Sequence, residues 1–105
     1  MSSGSPSPQE NHSAAVRHVP EARRFEIRHE SGEVAELTYT PLGGAMNFDH
    51  THVPESLRGR GIAADLTRGA LMEAQRLGWK IVPGCSYVAT FIRRHPEFED
   101  LLHQY

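Results

Sequence analysis

Residues 53–66 read VPESLRGRGIAADL. Two arginines, Arg58 and Arg60, alternate with two glycines, Gly59 and Gly61, just before an apolar pattern of helical spacing. Each glycine costs a helix about 1 kcal/mol relative to alanine, so something must be gained at this threshold. Glycine lets a backbone approach an anion closely. A helix N-terminus offers up to four unpaired N–H groups and a partial positive charge. Arginine adds charge-assisted bonds to phosphate oxygens. The stretch therefore fits a phosphate cradle, although by spacing alone a Gly-rich turn before a helix is also simply a turn. No Gly-Lys-Ser/Thr follows, and Gly-x-Gly-x-x-Gly is incomplete, so it is neither a Walker loop nor the dinucleotide pattern.

Downstream of the loop, Ile62, Leu66, Ala70, Ala74 and Leu77 recur at helical spacing, with Ala63 and Leu71 beside them. Gly78 is placed to stop this helix. Lys80–Pro83 reads as a short strand, and strand–helix–strand order predicts a right-handed crossover to a parallel neighbour. Ser86 is a cap for a second helix over Tyr87–Arg94, with Val88, Phe91 and Ile92 inward. His95-Pro96 breaks it, and Glu97–His103 reads as a short terminal helix.

Upstream the period is two. Arg23–His29 places Phe25 and Ile27 on one face, and Val34–Thr40 places Ala35, Leu37 and Tyr39 together. The turn at Glu30–Glu33 joins them as a hairpin. After Pro41–Gly44, Ala45–Val53 forms a third strand. Strict alternation puts Met46, Phe48, His50 and His52 on one face and Asn47, Asp49, Thr51 and Val53 on the other. The fold class is α+β: an antiparallel strand meander followed by helix, parallel strand and C-terminal helices. Residues 1–20, with five serines and three prolines and no apolar period, read as a disordered tail, leaving one domain over 21–105.

The bulk properties bound the function. A chain of 105 residues has room for one domain. A net charge of −2 argues against nucleic acid as a partner. Yet Leu57–Lys80 carries five basic residues against two acidic ones, a local positive bias at the proposed cradle. The single cysteine, Cys85, excludes an internal disulfide and fits a reducing compartment. No apolar run suggests a secretory signal or a membrane span. The expectation is a cytoplasmic protein without a membrane partner.

Arg58-Gly59-Arg60-Gly61-Ile62-Ala63 resembles the Arg/Gln-x-x-Gly-x-Gly/Ala signature of the Gcn5-related N-acetyltransferase superfamily. His50-Thr51-His52-Val53 before the loop, Pro83-Gly84-Cys85 after the helix and His95-Pro96-Glu97 near the end resemble its minimal, single-domain branch. The resemblance spans about residues 25–102. It implies a compact acetyl-CoA N-acyltransferase-like fold and acetyl transfer from acetyl-coenzyme A to an amine acceptor, a small molecule or a protein. Backbone N–H groups of Arg58, Gly59, Arg60, Gly61, Ile62 and Ala63 would hold the pyrophosphate. Val53 would offer backbone groups to the pantetheine arm and acetyl carbonyl.

Two side chains suit the chemistry. An amine with a reference pKa near 10.4 is mostly protonated at neutral pH and needs a base. His50 is the candidate, and a histidine packed on a strand face is the alternative reading. Cys85 would protonate the leaving thiolate or accept the acetyl group itself. A small buried hydrophobe is its alternative. Full-sized members of the superfamily insert two helices between the first and second strands, where Glu30–Glu33 is only a tight turn here. The usual C-terminal strands are missing too. The acceptor pocket is then open or completed by a partner.

Three other readings compete. The loop would hold coenzyme A or acyl-coenzyme A without turnover in a non-catalytic binding module. A metal site would use His50 and His52 with Asp49 or Cys85. A Cys–His hydrolase would use Cys85 and His50 but leave the Arg-Gly loop unexplained.

Overall fold

The computed structural model describes residues 16–103. The first strand, β1, is Val16–Val19, inside the stretch read as a disordered tail. Its register is antiparallel to β2 (Arg24–Arg28), with Val16 opposite Ile27 and His18 opposite Phe25. Residues 1–15 of that tail lie outside the described residues. Pro20–Ala22 make one 3-10 turn, and Arg23 takes a left-handed φ of 53° to enter β2. With β1 present, the first interstrand connection is Pro20–Arg23, not the Glu30–Glu33 turn. That connection is a four-residue link.

β3 (Val34–Leu42) and β4 (Ala45–His52) continue the antiparallel meander. Helix α1 (Ile62–Leu77) crosses over to β5 (Ile81–Val82), which pairs parallel to β4. The sheet order is β1-β2-β3-β4-β5. Helix α2 (Ser86–Arg94) follows. Pro96–Leu101 form a 3-10 helix, shorter and tighter than the expected terminal helix. The segment after it bridges back to the sheet: Leu102 pairs with Ile81, and His103 N–H donates to the Ile81 carbonyl at 2.9 Å.

The strand and helix periods meet in one core. Phe25, Ile27, Ala35, Leu37, Tyr39 and Phe48 from the sheet pack on Leu66, Ala70, Leu71 and Ala74 of α1. Val88, Phe91 and Ile92 of α2 join the same cluster, so both helices cover one face of the sheet. The opposite face carries Arg24, Glu26, Glu36, Thr38, His50 and His52 by register. Glu26 and Glu36 lie directly opposite each other, a repulsive pair. Arg24 relieves it, donating from Nε to Glu26 Oε2 at 2.6 Å and standing 3.4 Å from Glu36 Oε1.

Helix α1 stops at Gly78, whose φ of 75° suits glycine, with its N–H donating to the Gln75 carbonyl and that of Trp79 to Ala74. Gly69, mid-helix, has a different reason. A Cβ there would stand 2.5 Å from Val16 Cγ2 and 2.8 Å from Val16 Cβ. β1 lies against α1 only because position 69 has no side chain. Two residues along the same face of β1, His18 stacks on Phe25 at 4.4 Å and shares a hydrogen bond with the Tyr39 hydroxyl at 2.8 Å.

Gly69→Ala therefore sets two effects against each other. Helix propensity favours alanine by about 1 kcal/mol, whereas overpacking costs about 1–3 kcal/mol. Because the obstruction includes Val16 Cβ, which moves only with its backbone, a net loss of about 1 kcal/mol is expected in urea denaturation. A gain in stability would mean that β1 is not held against the helix at this point.

Candidate functional site

The site is built where β4 and β5 part. β5 pairs with β4 only through Met46–Ile81 and Asn47–Val82. Pro83 has no N–H and cannot extend the ladder. Gly84 N–H then donates to Asn47 Oδ1 at 3.0 Å and lies as close to the Val82 carbonyl. A Cβ on Gly84 would sit 2.3 Å from Asn47 Oδ1, so the backbone comes this near only as glycine. Cys85 N–H donates to the Phe48 carbonyl at 2.8 Å, and the chain turns away into α2. β4 runs on to His52 with no strand beside it on that edge among the described residues.

An irregularity within β4 decides which side chains line this fork. Thr38 faces His50 while Tyr39 faces Phe48, so Asp49 is an extra residue in β4. The alternation reverses there. Thr51, opposite Leu37, points with Phe48 to the helix-covered face, while His50 and His52 are exposed on the outer face. The shared face expected for Phe48, His50 and His52 is corrected by this one-residue bulge. Asp49 accepts from the hydroxyls of Thr38 and Thr40, each at 2.7 Å. Burial pushes the Asp49 carboxyl up, but the two threonines and nearby His50 outweigh it and hold it below the usual range.

Thr51 Oγ1 lies 3.5 Å from Cys85 Sγ. Cys85, rather than Ser86, is the N-cap of α2. Burial alone would push the Cys85 thiol up. The Thr51 hydroxyl and the N–H groups of Val88 and Tyr87 more than offset this and bring it below its ordinary value. The side-chain partner of Cys85 is therefore Thr51, and His50 stands on the other face of the strand. Among the described residues, no three His, Cys, Asp or Glu side chains converge as metal ligands.

The Arg-Gly loop closes the site from the other end. Glu55–Leu57 form a 3-10 turn anchored by buried Leu57. Ser56 Oγ donates to Glu33 Oε1 at 2.6 Å, tying the loop to the β2–β3 turn. Gly59 and Gly61 take φ values of 81° and 77°, the left-handed region that side chains resist. Gly61 is the N-cap of α1 and has no side chain to bond the first amides. Its carbonyl accepts from Asp65 N–H at 3.0 Å, the first helical bond. The N–H groups of Ile62, Ala63 and Ala64 precede that bond and have no partner within the helix.

These residues border a hollow of about 230 Å³, lined by Val53, Arg58, Gly59, Gly61, Ala63 and Tyr87 among others. Arg58 Nε donates to the Val53 carbonyl at 3.0 Å, so that carbonyl is already engaged. Arg60 lines a separate hollow with Ile62, Asp65 and residues 27–30. Of the two loop arginines, Arg58 lines the hollow at the start of α1 and Arg60 does not. Asn47, Thr51 and Tyr87, which the sequence reading did not single out, border this fork and hollow.

Thr51→Val removes one of the groups that bring the thiol down. The native Cys85 thiol should be alkylated by iodoacetamide with a pH midpoint below that of a free cysteine peptide. Substitution should move the midpoint upward. An unmoved midpoint would leave the backbone groups of Val88, Tyr87 and Thr51 as the cause.

With this geometry in hand, three comparisons bear on the chain. A family model described as GCN5-related N-acetyl-transferase matches residues 24–101. Protein NATD1 of Danio rerio is 34% identical over 93 residues, covering 84% of each chain. Protein NATD1 of Homo sapiens is 31% identical over 83 residues, covering 77% of this chain and 74% of that one. An NMR solution structure of a GCN5-like protein from Staphylococcus aureus superposes with a TM-score of 0.65 at 24% identity, covering 86% of this chain and 88% of that one.

Proposed function

The chain belongs to the GCN5-related N-acetyltransferase family, and from that premise we propose that it transfers the acetyl group of acetyl-coenzyme A to an amine acceptor. The observation that carries this reading is the cradle at the start of α1. Left-handed Gly59 and Gly61 leave the loop free of side-chain bulk beside the first-turn amides. A pyrophosphate fits such a group of N–H donors. Arg58 lines the same hollow, which runs past Val53 and Tyr87 toward the fork. There the unpaired edge of β4 offers backbone groups to a pantetheine arm lying alongside as a substitute strand.

The acceptor then approaches from the outer face, which neither α1 nor α2 covers. His50 and ionised Asp49 stand there. A protonated amine is attracted by the carboxylate and must lose its proton before attack. Imidazole is the side chain suited to take that proton near neutral pH. The amine nitrogen bonds to the thioester carbonyl carbon, the carbon–sulfur bond breaks, and the thiolate of coenzyme A leaves. Cys85, on the helix-covered side of the same edge, gives it a proton. The Thr51 hydroxyl and nearby backbone N–H groups lower the Cys85 thiol from its ordinary value, which favours its role as a proton donor to the leaving thiolate. No catalytic step in this scheme needs a metal.

Gly61→Glu tests the cradle. It places a carboxylate and a strained side chain where the pyrophosphate would sit. Coenzyme A binding by calorimetry should disappear while the far-ultraviolet circular dichroism is kept, and unchanged affinity would refute the assignment. His50→Ala and Cys85→Ala test the transfer. Each should retain coenzyme A binding and lower the rate with a competent amine by about 100-fold, the usual scale of acid–base catalysis. Mass spectrometry of amines and peptides incubated with acetyl-coenzyme A identifies that acceptor. Tight binding with no acetylated product from any amine would make the chain a coenzyme A-binding module instead.

A further inference from the structure

The two margins of the sheet differ. β5 is covered by the chain's own return at Leu102 and His103. β1, at the other end of the strand order, has no strand beyond it among the described residues. In an antiparallel pair alternate residues turn their N–H and C=O away from the partner, so β1 presents backbone donors and acceptors along its outer edge. Beside that edge, between β1 and α1, lies a hollow of about 440 Å³ lined by Val16, His18, Phe25, Gly69, Met72 and Arg76 among others. We propose that the outer edge of β1 and this hollow form a docking site for an extended apolar–acidic–apolar segment of a partner protein, which adds to the sheet as a strand.

The side chains define what such a strand must carry. Along β1 the inward residues Val16 and His18 line the hollow, and the outward Arg17 is exposed. The apolar lining is Val16, Phe25 and Met72, the last of them 54% exposed. The polar groups of the hollow are already engaged. His18 Nε2 meets the Tyr39 hydroxyl at 2.8 Å, and its Nδ1 is 3.8 Å from Glu73 Oε2. Arg76 donates to both Glu73 oxygens, at 2.9 and 2.6 Å. Arg68 stands 3.6 Å from Glu97 Oε2. A small polar ligand finds little here to orient it. An apolar side chain finds a wall at Met72, and a peptide backbone finds the strand edge.

Arg17 sets the charge. Glu26 lies opposite it on β2 but is bonded to Arg24 at 2.6 Å. Among the described residues Arg17 makes no ion pair. An added strand places one side chain directly across from Arg17 on the same face, where an opposite charge is favourable. A carboxylate there, flanked by apolar residues turned toward the hollow, complements β1 residue by residue. A second copy of the chain does not. A two-fold pairing of β1 with itself is antiparallel and, within Val16–Val19, sets Arg17 against Arg17 or Val19. The chain ahead of Val16 is no better suited, because after Met1 it holds no apolar side chain larger than proline. β1 lies three strand spacings from β4, about 14 Å, so the inference does not depend on the acetyl-transfer reading.

Nuclear magnetic resonance of the isotope-labelled full chain, titrated with the blocked peptide Ser-Thr-Ile-Glu-Leu-Thr-Ser, tests the site. Amide shifts should be confined to Val16–Val19 and to residues 69–76 of α1. The same peptide with lysine in place of glutamate should bind about three- to fivefold more weakly, the scale of one exposed ion pair, and the difference should shrink with added salt. Arg17→Glu should reverse that preference with the circular dichroism unchanged, and Met72→Asp should weaken both peptides. No shift at millimolar peptide, shifts elsewhere on the chain, or equal binding of the two peptides by the unaltered protein would overturn the proposal. Shifts of the β1 amides with protein concentration alone would overturn it in favour of a contact between copies. Nuclear Overhauser contacts from residues 1–15 to the β1 edge would overturn it in favour of the chain's own N-terminal segment.

Discussion

Strand β4 has two edges with different fates, and the site depends on that difference. One edge is hydrogen-bonded to β3 from Ala45 to His52, which fixes β4 in the sheet. The other is bonded to β5 for two residues and then released. A strand that is rigid on one side and unsatisfied on the other is a template for an extended ligand. The release is local and chemical. Pro83 cannot donate, Gly84 is drawn onto the Asn47 side chain, and Cys85 takes the last bond to Phe48 before the helix begins. Each of those three residues ends the ladder in a different way.

The same few residues also position the reactive groups. Because Cys85 is both the last ladder partner and the first cap, its sulfur meets the amides of α2 and the Thr51 hydroxyl together. Asp49, the extra residue in β4, turns Thr51 inward and His50 outward. A base and an acid on opposite sides of one strand edge suit a reaction in which two substrates approach from opposite sides. Without the bulge, His50 would lie beside Phe48 among apolar side chains. There its charged form would be costly.

Much of this was legible in the chain. The bounds of α1 follow from glycine chemistry at both ends, and the hairpin follows from alternation in Phe25–Ile27 and Ala35–Tyr39. The Arg-Gly loop could be placed at a helix start because glycines at positive φ leave a local signature. Three features were not legible, and all three depend on contacts distant in sequence. Val16–Val19 presents only Val16 and His18 inward, and what makes them interior residues is the gap left by Gly69 and the hydroxyl of Tyr39. The bulge at Asp49 is a mismatch between two strands and has no mark in either one alone. The thiol environment needs Thr51 and Cys85, 34 residues apart, to meet.

Beyond β5 the sheet does not end in a bare edge. Leu102 and His103 return to lie along Ile81, and a backbone N–H covers its carbonyl. Edge strands ordinarily invite addition of a foreign strand, and proteins blunt them by short length or by cover. Here β5 is two residues long and capped by its own chain. On that flank the Ile81 carbonyl is covered against a foreign strand, and among the described residues the β4 backbone beside the thiol is left open to a strand-like guest.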